Sequence, residues 1–495
     1  MRKSLAKSVD FALLVLLSGL ICSLAVADDP PQSGSKSKPS ATVGSSQPSV
    51  PLAEPPTDWI DPVTGHRIVR LSKEPGTASF YFHQNAYNGD KLIVSTNDGL
   101  ATIDLKTRQI EPISQGRAGN VVVGNKSGNV YYTKQTPNGP AVFKTNVNTK
   151  ETKEICKMPF RGGSGFGLNA DETLLGGSYM INPPANLPGE RNAGDITAKS
   201  ADNRSAQAKA AAPGDSASTE PVPQGGALDA ASAQRQNNRF GTRERSIAER
   251  LAEHAPMRLF TIDTNSGETK TFHPATDWLN HVQFSPSDPQ LMMFCHEGPW
   301  HEVDRIWTIK PGEDNAKLMH KRTMQYEIAG HEFFGNDGNW IWYDLQTPRS
   351  DRFWLAGVNV KDGQRLWYPI ERSQWSVHYN QSHDGKLFAG DGGGPGSVAN
   401  RTPLPDAKPL DPPANGMFIY LFTPQKSTGE TKTIGGETVN IGHFKAEKLV
   451  DMSKHNYEFE PNLTFSPDNK WIVFRSNMHG PVHTYAVEVA KAEAK

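Results

Sequence analysis

The chain reads as an all-β protein, a seven-bladed β-propeller with a disordered insertion in the third blade. Three observations predict this. A loose repeat of about 40–50 residues recurs, each unit with about four short strands. Each unit opens on an apolar strand, a polar turn and a second apolar strand. This is visible in Asn88-Gly-Asp-Lys-Leu-Ile-Val94, Asn336-Asp-Gly-Asn-Trp-Ile-Trp342, His383-Asp-Gly-Lys-Leu-Phe388 and Phe465-Ser-Pro-Asp-Asn-Lys-Trp-Ile-Val-Phe474. Several units then carry an outer strand pair around a turn, as in Ala101–Ile110, Leu259–Glu268 and Trp354–Gly363.

Taken in order, residues 1–27 read as a signal peptide. Arg2, Lys3 and Lys7 are a basic start, Phe11 to Ala25 is apolar, and Ala25-Val-Ala27 fits a cleavage site. The apolar run is too short for a permanent anchor, so the mature protein is expected to lack a transmembrane segment and to be periplasmic or secreted. Residues 28–57 are rich in Ser, Pro, Lys and Gly and read as a disordered linker. The propeller domain spans 58–495. Its units fall near 80–115, 118–157, 164–275, 280–323, 330–371, 376–450 and 457–493. The strand near 66–71 completes the last blade and so removes an exposed sheet edge. Within the third unit, residues 183–240 are a low-complexity insert of small and polar residues that cannot bury a core. Residues 245–254 after it have helical spacing, with Ile247 and Leu251 on one face.

Composition excludes some functions. A formal net charge of −1 argues against a general nucleic-acid binder, while a local basic patch for a small anionic substrate stays open. Once the signal is removed, Cys156 and Cys295 remain, too few and too far apart for a disulfide framework. A monomer is expected.

Phe294-Cys-His-Glu-Gly-Pro-Trp-His-Glu-Val-Asp-Arg-Ile-Trp307 packs more charge and imidazole into a strand-like run than a core can use. These residues are expected to line a wet cleft. His281, His296, His331 and His378 each sit near the opening of a unit. Equivalent ends of different blades converge on the centre of a propeller, so the four can point at one site. Gly390-Asp-Gly-Gly-Gly-Pro-Gly396 lacks the Lys-Ser/Thr of a phosphate-binding loop and reads as a loop over the cleft.

Phe294-Cys-His-Glu-Gly-Pro299, Val303-Asp-Arg-Ile-Trp307 and His331-Glu-Phe-Phe334 resemble the oligogalacturonate lyase family of pectin-degrading enzymes. Asp61-Pro-Val-Thr-Gly65, Tyr81-Phe-His-Gln84 and Asn280-His-Val-Gln-Phe-Ser-Pro286 resemble other parts of that family, so the likeness covers most of 58–493 outside the insert. The resemblance implies a seven-bladed propeller that cleaves short uronate oligosaccharides by β-elimination. A base removes the C5 proton and O4 departs. Such chemistry calls for a base of near-neutral pKa and a cation beside the substrate carboxylate. The resemblance makes His331 the base and Arg305 its catalytic partner, and puts His296, His281, Gln84 and Glu297 on the substrate.

It also implies a divalent ion, manganese first, with calcium or magnesium as alternatives. One ligand maps onto His378. The other two histidine positions hold Glu460 and Asn462, and the glutamine position holds Tyr457. Either Glu460, Asn462 and the nearby His455 keep a metal with harder donors, or the metal is lost and Lys454 or Arg475 takes its place. Two other readings stay open: a non-catalytic binding propeller of the TolB type, and a lyase on another acidic polysaccharide.

Overall fold

The computed structural model describes residues 54–160, 165–183, 247–394, 416–457 and 459–492. The signal-peptide reading, the low-complexity insert beyond residue 183 and the linker up to residue 53 lie outside the described residues. The described residues from Pro55 onward belong to one compact unit, Pro55–Lys495.

Seven sheets follow one another along the chain. Blade one runs from Tyr87–Asn88 to Ile110–Gln115, and blade two from Ala118–Val123 to Thr152–Lys157. Blade three runs from Gly167–Leu168 to Thr269–Ala275 and blade four from Trp278–Phe284 to Lys317–His320. Blade five runs from Ile328–Phe334 to Arg365–Ile370 and blade six from Tyr379–Gln381 to Phe444–Asp451. Blade seven begins at Thr464–Phe465, and His66–Arg70 closes it by pairing with His483–Lys491, Val69 opposite Ala486. The expected seven-bladed architecture is the observed one.

The turns explain why the repeat is legible. Asp104 Oδ1 accepts from the backbone of Lys106 and Thr107, and Asp263 Oδ1 from Asn265 and Ser266. Asn146 and Asn359 do the same in blades two and five. Each is an Asx turn that fixes the link between the third and fourth strands. The residue four positions on has positive φ each time, Gly267 and Gly363 supplying it without strain.

Blade six departs from the simple pattern. Its chain leaves after Phe418–Pro424, and the hairpin of Thr431–Ile434 and Glu437–Ile441 pairs in parallel with the outer strand of blade five, Leu366 opposite Asn440. That covers an edge which would otherwise offer unpaired backbone groups. Val439 and Ile441 on the hairpin are buried against blade five.

The core lies between neighbouring blades. Phe294 of blade four is buried with Leu259 and Phe272 of blade three. Phe82 packs with Phe333, Tyr379 and Phe388 of blades five and six. Each such ring contributes about 1.5–3 kcal/mol of burial. Phe82 belongs to the segment before blade one, so it fastens the start of the propeller to the blades that carry the site.

Candidate functional site

Three of the innermost strands share one irregularity. Register shifts interrupt the pairing between Gly119 and Val122, Asn280 and Gln283, and Gly330 and Phe333. At each bulge one residue takes positive φ: Asn120, His281 and His331. Asn462, just before the inner strand of blade seven, does so too. A bulge re-aims a side chain that the pleat would otherwise turn away. Histidine and asparagine tolerate this conformation better than most residues. Two of these four residues are histidines singled out in the sequence.

At blade five, His331 donates from Nδ1 to Asp344 Oδ1 at 2.8 Å. Asp344 is buried on the next strand, opposite Gly330. A Cβ on Gly330 would lie 3.2 Å from that same carboxylate oxygen, so the glycine leaves room for the pair. With Nδ1 committed, Nε2 is the nitrogen left to accept a proton. The ring of His378 lies 4.8 Å from that of His331, and the Trp300 ring 6.1 Å away.

Arg305 of blade four is 3% exposed and bridges two blades. Its Nε donates to Glu332 Oε2 at 2.8 Å, its Nη1 to Glu297 Oε1 at 2.7 Å, and its Nη2 reaches His281 Nδ1 at 3.4 Å. Glu297 also accepts from Trp300 Nε1 and Asn280 Nδ2. Burial alone would raise the Glu297 carboxyl, but Arg305 and His281 outweigh it and pull it down to about 2. Glu332 is pulled down by the same neighbours. His281, Cys295 and Glu332 are close enough to suggest a metal cluster. Arg305, hydrogen-bonded to both Glu332 and His281, already supplies the cation there.

At blade six, His378 donates from Nδ1 to Asp391 Oδ2 at 2.7 Å. Its Nε2 is buried with no hydrogen-bond partner among the described residues and faces Glu460 Oε2 at 3.9 Å. The Asn462 backbone also donates to Asp391, and Asn462 Oδ1 accepts from the Phe82 backbone at 3.2 Å. Phe82 stacks on His378 with centroids 4.9 Å apart.

The sequence-predicted residues thus divide. His331, Arg305, His281, Glu297, His378, Glu460 and Asn462 come together around the inner strands. His455 does not join them: its Nε2 donates to the Phe459 carbonyl at 2.6 Å and its Nδ1 meets Ser476 Oγ at 2.9 Å. Burial pushes its pKa down to about 3, and neither nitrogen is left for an ion. His296 turns to the opposite face of its strand from Glu297, stacks on Trp307 at 4.7 Å and faces Asp277 at 3.8 Å. Gln84 closes its own turn, accepting from the Tyr81 backbone. Its neighbour His83 is the residue that sequence reasoning misses. Its pKa is pushed down to about 3, first by burial and then by His281. The signal is present in Tyr81-Phe-His-Gln84, but the histidine and not the glutamine faces the site. Arg475 is spent on the carbonyls of Glu460 and Ser79. Trp300 borders the cleft, whereas Trp375 is blade packing at 1% exposure.

The pKa shifts carry a prediction. His455 titrates lower in the folded chain than its ordinary 6.5, and Glu297 lower than its ordinary 4.5. Both contributions are therefore complete above those values and are lost progressively as pH falls from them towards the folded values of about 3 and about 2. Thermal melts should be level at neutral pH, decline below about 6.5, and decline more steeply below about 4.5. A melting temperature that rises on acidification would contradict this.

Known proteins resemble this chain in sequence and in fold. The family model for oligogalacturonate lyase matches residues 206–493, more than half of the chain. An oligogalacturonide lyase of Pectobacterium atrosepticum is 24% identical over 453 residues, covering 87% of this chain and 95% of that one. An oligogalacturonate lyase of Dickeya dadantii is 24% identical over 455 residues, with the same coverage. A solved oligogalacturonate lyase in complex with manganese superposes with a TM-score of 0.61 at 20% identity, covering 88% of this chain and 96% of that one. One from Vibrio parahaemolyticus superposes with a TM-score of 0.58 at 18% identity and the same coverage. With a family model matched over more than half of its length and the seven-bladed fold shared with solved members, the chain belongs to the oligogalacturonate lyase family.

Proposed function

We propose that this protein cleaves short pectic uronate oligosaccharides by β-elimination. The observation that carries the reading is His331, locked at Nδ1 by a buried carboxylate and set 4.8 Å from His378 in the same cleft. In this reading Nε2 of His331 takes the C5 proton of a uronate unit. The C–H electrons form the C4–C5 double bond, the C4–O4 bond breaks, and O4 leaves with its electron pair and is protonated. Asp344 keeps the tautomer and holds the imidazolium that forms. Arg305 is held rigid by Glu297 and Glu332, and its four contacts use at most four of its five N–H groups. It places fixed positive charge where negative charge grows on the substrate carboxylate.

Manganese enters this reading from the solved relative that holds it. The residues fit a divalent ion. His378 offers a buried, unpartnered Nε2 and is oriented from behind by Asp391, as metal-ligating histidines are. His378, Glu460 and the Asn462 amide oxygen would hold the ion, a nitrogen and oxygen set that suits manganese. Bound there, it would add positive charge beside the substrate carboxylate. Asp391→Asn is expected to weaken manganese binding by about 10–100-fold, read by calorimetric titration. Unchanged affinity in that variant and in His378→Ala would remove this group from the metal site. The N-terminal basic and apolar run supports an enzyme that works beyond the inner membrane.

The test is incubation with di- and trigalacturonate. The reading expects a conjugated product that absorbs in the ultraviolet, or for the dimer its keto form. Folded protein that yields neither would reject it.

A further inference from the structure

The helix at 247–252 lies directly after the insert and packs on the motif that carries Glu297. A Cβ on Gly298 would come 3.0 Å from Leu251 Cδ2 and 2.6 Å from Val303 Cγ1. Gly298 is therefore the seat on which this helix rests. One residue before Leu251, Arg250 lays its guanidinium over Trp278, 3.7 Å from the ring centroid. Trp278 stands opposite Glu297 in strand register, so both project from the same face of blade four. Glu297 in turn contacts Trp300, which borders His331.

Arg250 is half-buried, and among the described residues no carboxylate pairs with it. Burial pushes its pKa down, and the charges of Glu253 and Glu297 offset this only in part. A cation taken partly out of water is costly unless something answers its charge. Trp278 answers only one face of it. The guanidinium is planar, and N–H groups along one of its edges point the same way, the geometry that grips a carboxylate bidentately.

We infer that Arg250 is a substrate-binding residue that holds the carboxylate of a uronate unit flanking the one that reacts. The inference rests on the lyase reading and deepens it. The helix that follows the insert thereby supplies one wall of the cleft. Arg250 takes no part in proton transfer. Its contribution is to affinity, and it grows with the number of uronate units the cleft can hold.

The test measures kcat and KM on di- and trigalacturonate for wild type, Arg250→Gln and Arg250→Lys, with binding of trigalacturonate read separately in the inactive His331→Asn background. Loss of one charge-assisted contact predicts a rise of about 10-fold in KM for trigalacturonate in R250Q, with a smaller fall in kcat. R250K keeps the charge but not the flat fork, and falls between. The affinity loss shrinks as salt is raised. Wild type that turns over, beside R250Q with unchanged KM and unchanged affinity, overturns the inference and leaves the lyase reading intact. Wild type that neither binds nor cleaves these oligomers overturns both. If R250Q does not fold, R250K with wild-type KM and binding overturns the inference alone.

Discussion

His331→Asn should lower kcat by about 1,000-fold and leave the melting temperature nearly where it was. Asparagine is the informative substitution because His331 sits at φ 46°, and asparagine accepts that conformation readily. Its amide can also go on donating to Asp344, so the buried carboxylate keeps a partner. What it cannot do is accept a proton. General-base catalysis contributes about 100- to 10,000-fold, and a loss in that range assigns the proton transfer to this ring. His331→Ala would lose as much activity but would also strand Asp344, at a cost of about 1–3 kcal/mol. Steady-state kinetics with a calorimetric melt on both variants separates the effects. An asparagine variant that keeps more than a tenth of wild-type kcat would place the base elsewhere, with His378 or His83 next in line.

Arg305→Ala should remove activity and stability together. The side chain is 3% exposed, and its two partners Glu297 and Glu332 are 7% and 0% exposed. Both carboxyls are held ionised chiefly against burial by that one guanidinium. Removing a single member of a buried ionic network costs about 3–5 kcal/mol. The triple change Arg305→Met, Glu297→Gln, Glu332→Gln removes every buried charge in the cluster and should recover most of that stability. It should not recover turnover. The melting temperature of the single and triple variants, set beside their kcat, separates the structural role from the electrostatic one. A triple variant that regains activity would show that Arg305 acts only as scaffolding.

The division between what can be read in the chain and what cannot follows from how a propeller is built. Blades are legible because each is local: strand, Asx turn, strand, within about 40–50 residues. The histidines are legible because several blades open with one. Their partners are not. Asp344 and Asp391 lie one strand away, each 13 residues on, and only the hairpin register brings them to His331 and His378. Glu332 stands inside the motif that names His331, yet its role depends on Arg305 from the neighbouring blade. His296 is misplaced by a reading of the motif alone because strand alternation turns it from Glu297, and the bulges that re-aim His281 and His331 are invisible in a list of residues. His455 looks like a ligand by proximity in sequence, and two local hydrogen bonds use it up. The hairpin crossing from blade six to blade five leaves no local sign, since a two-stranded excursion resembles any other.

The most direct test of the central claim is the mass of the products formed from trigalacturonate with manganese present. β-Elimination with His331 as base predicts a product pair whose masses sum to that of the substrate, one member unsaturated, and the loss of both from the His331→Asn variant. A pair whose masses sum to the substrate plus one water would mean hydrolysis, and would contradict both His331 as the base at C5 and the cations around it as partners of the substrate carboxylate.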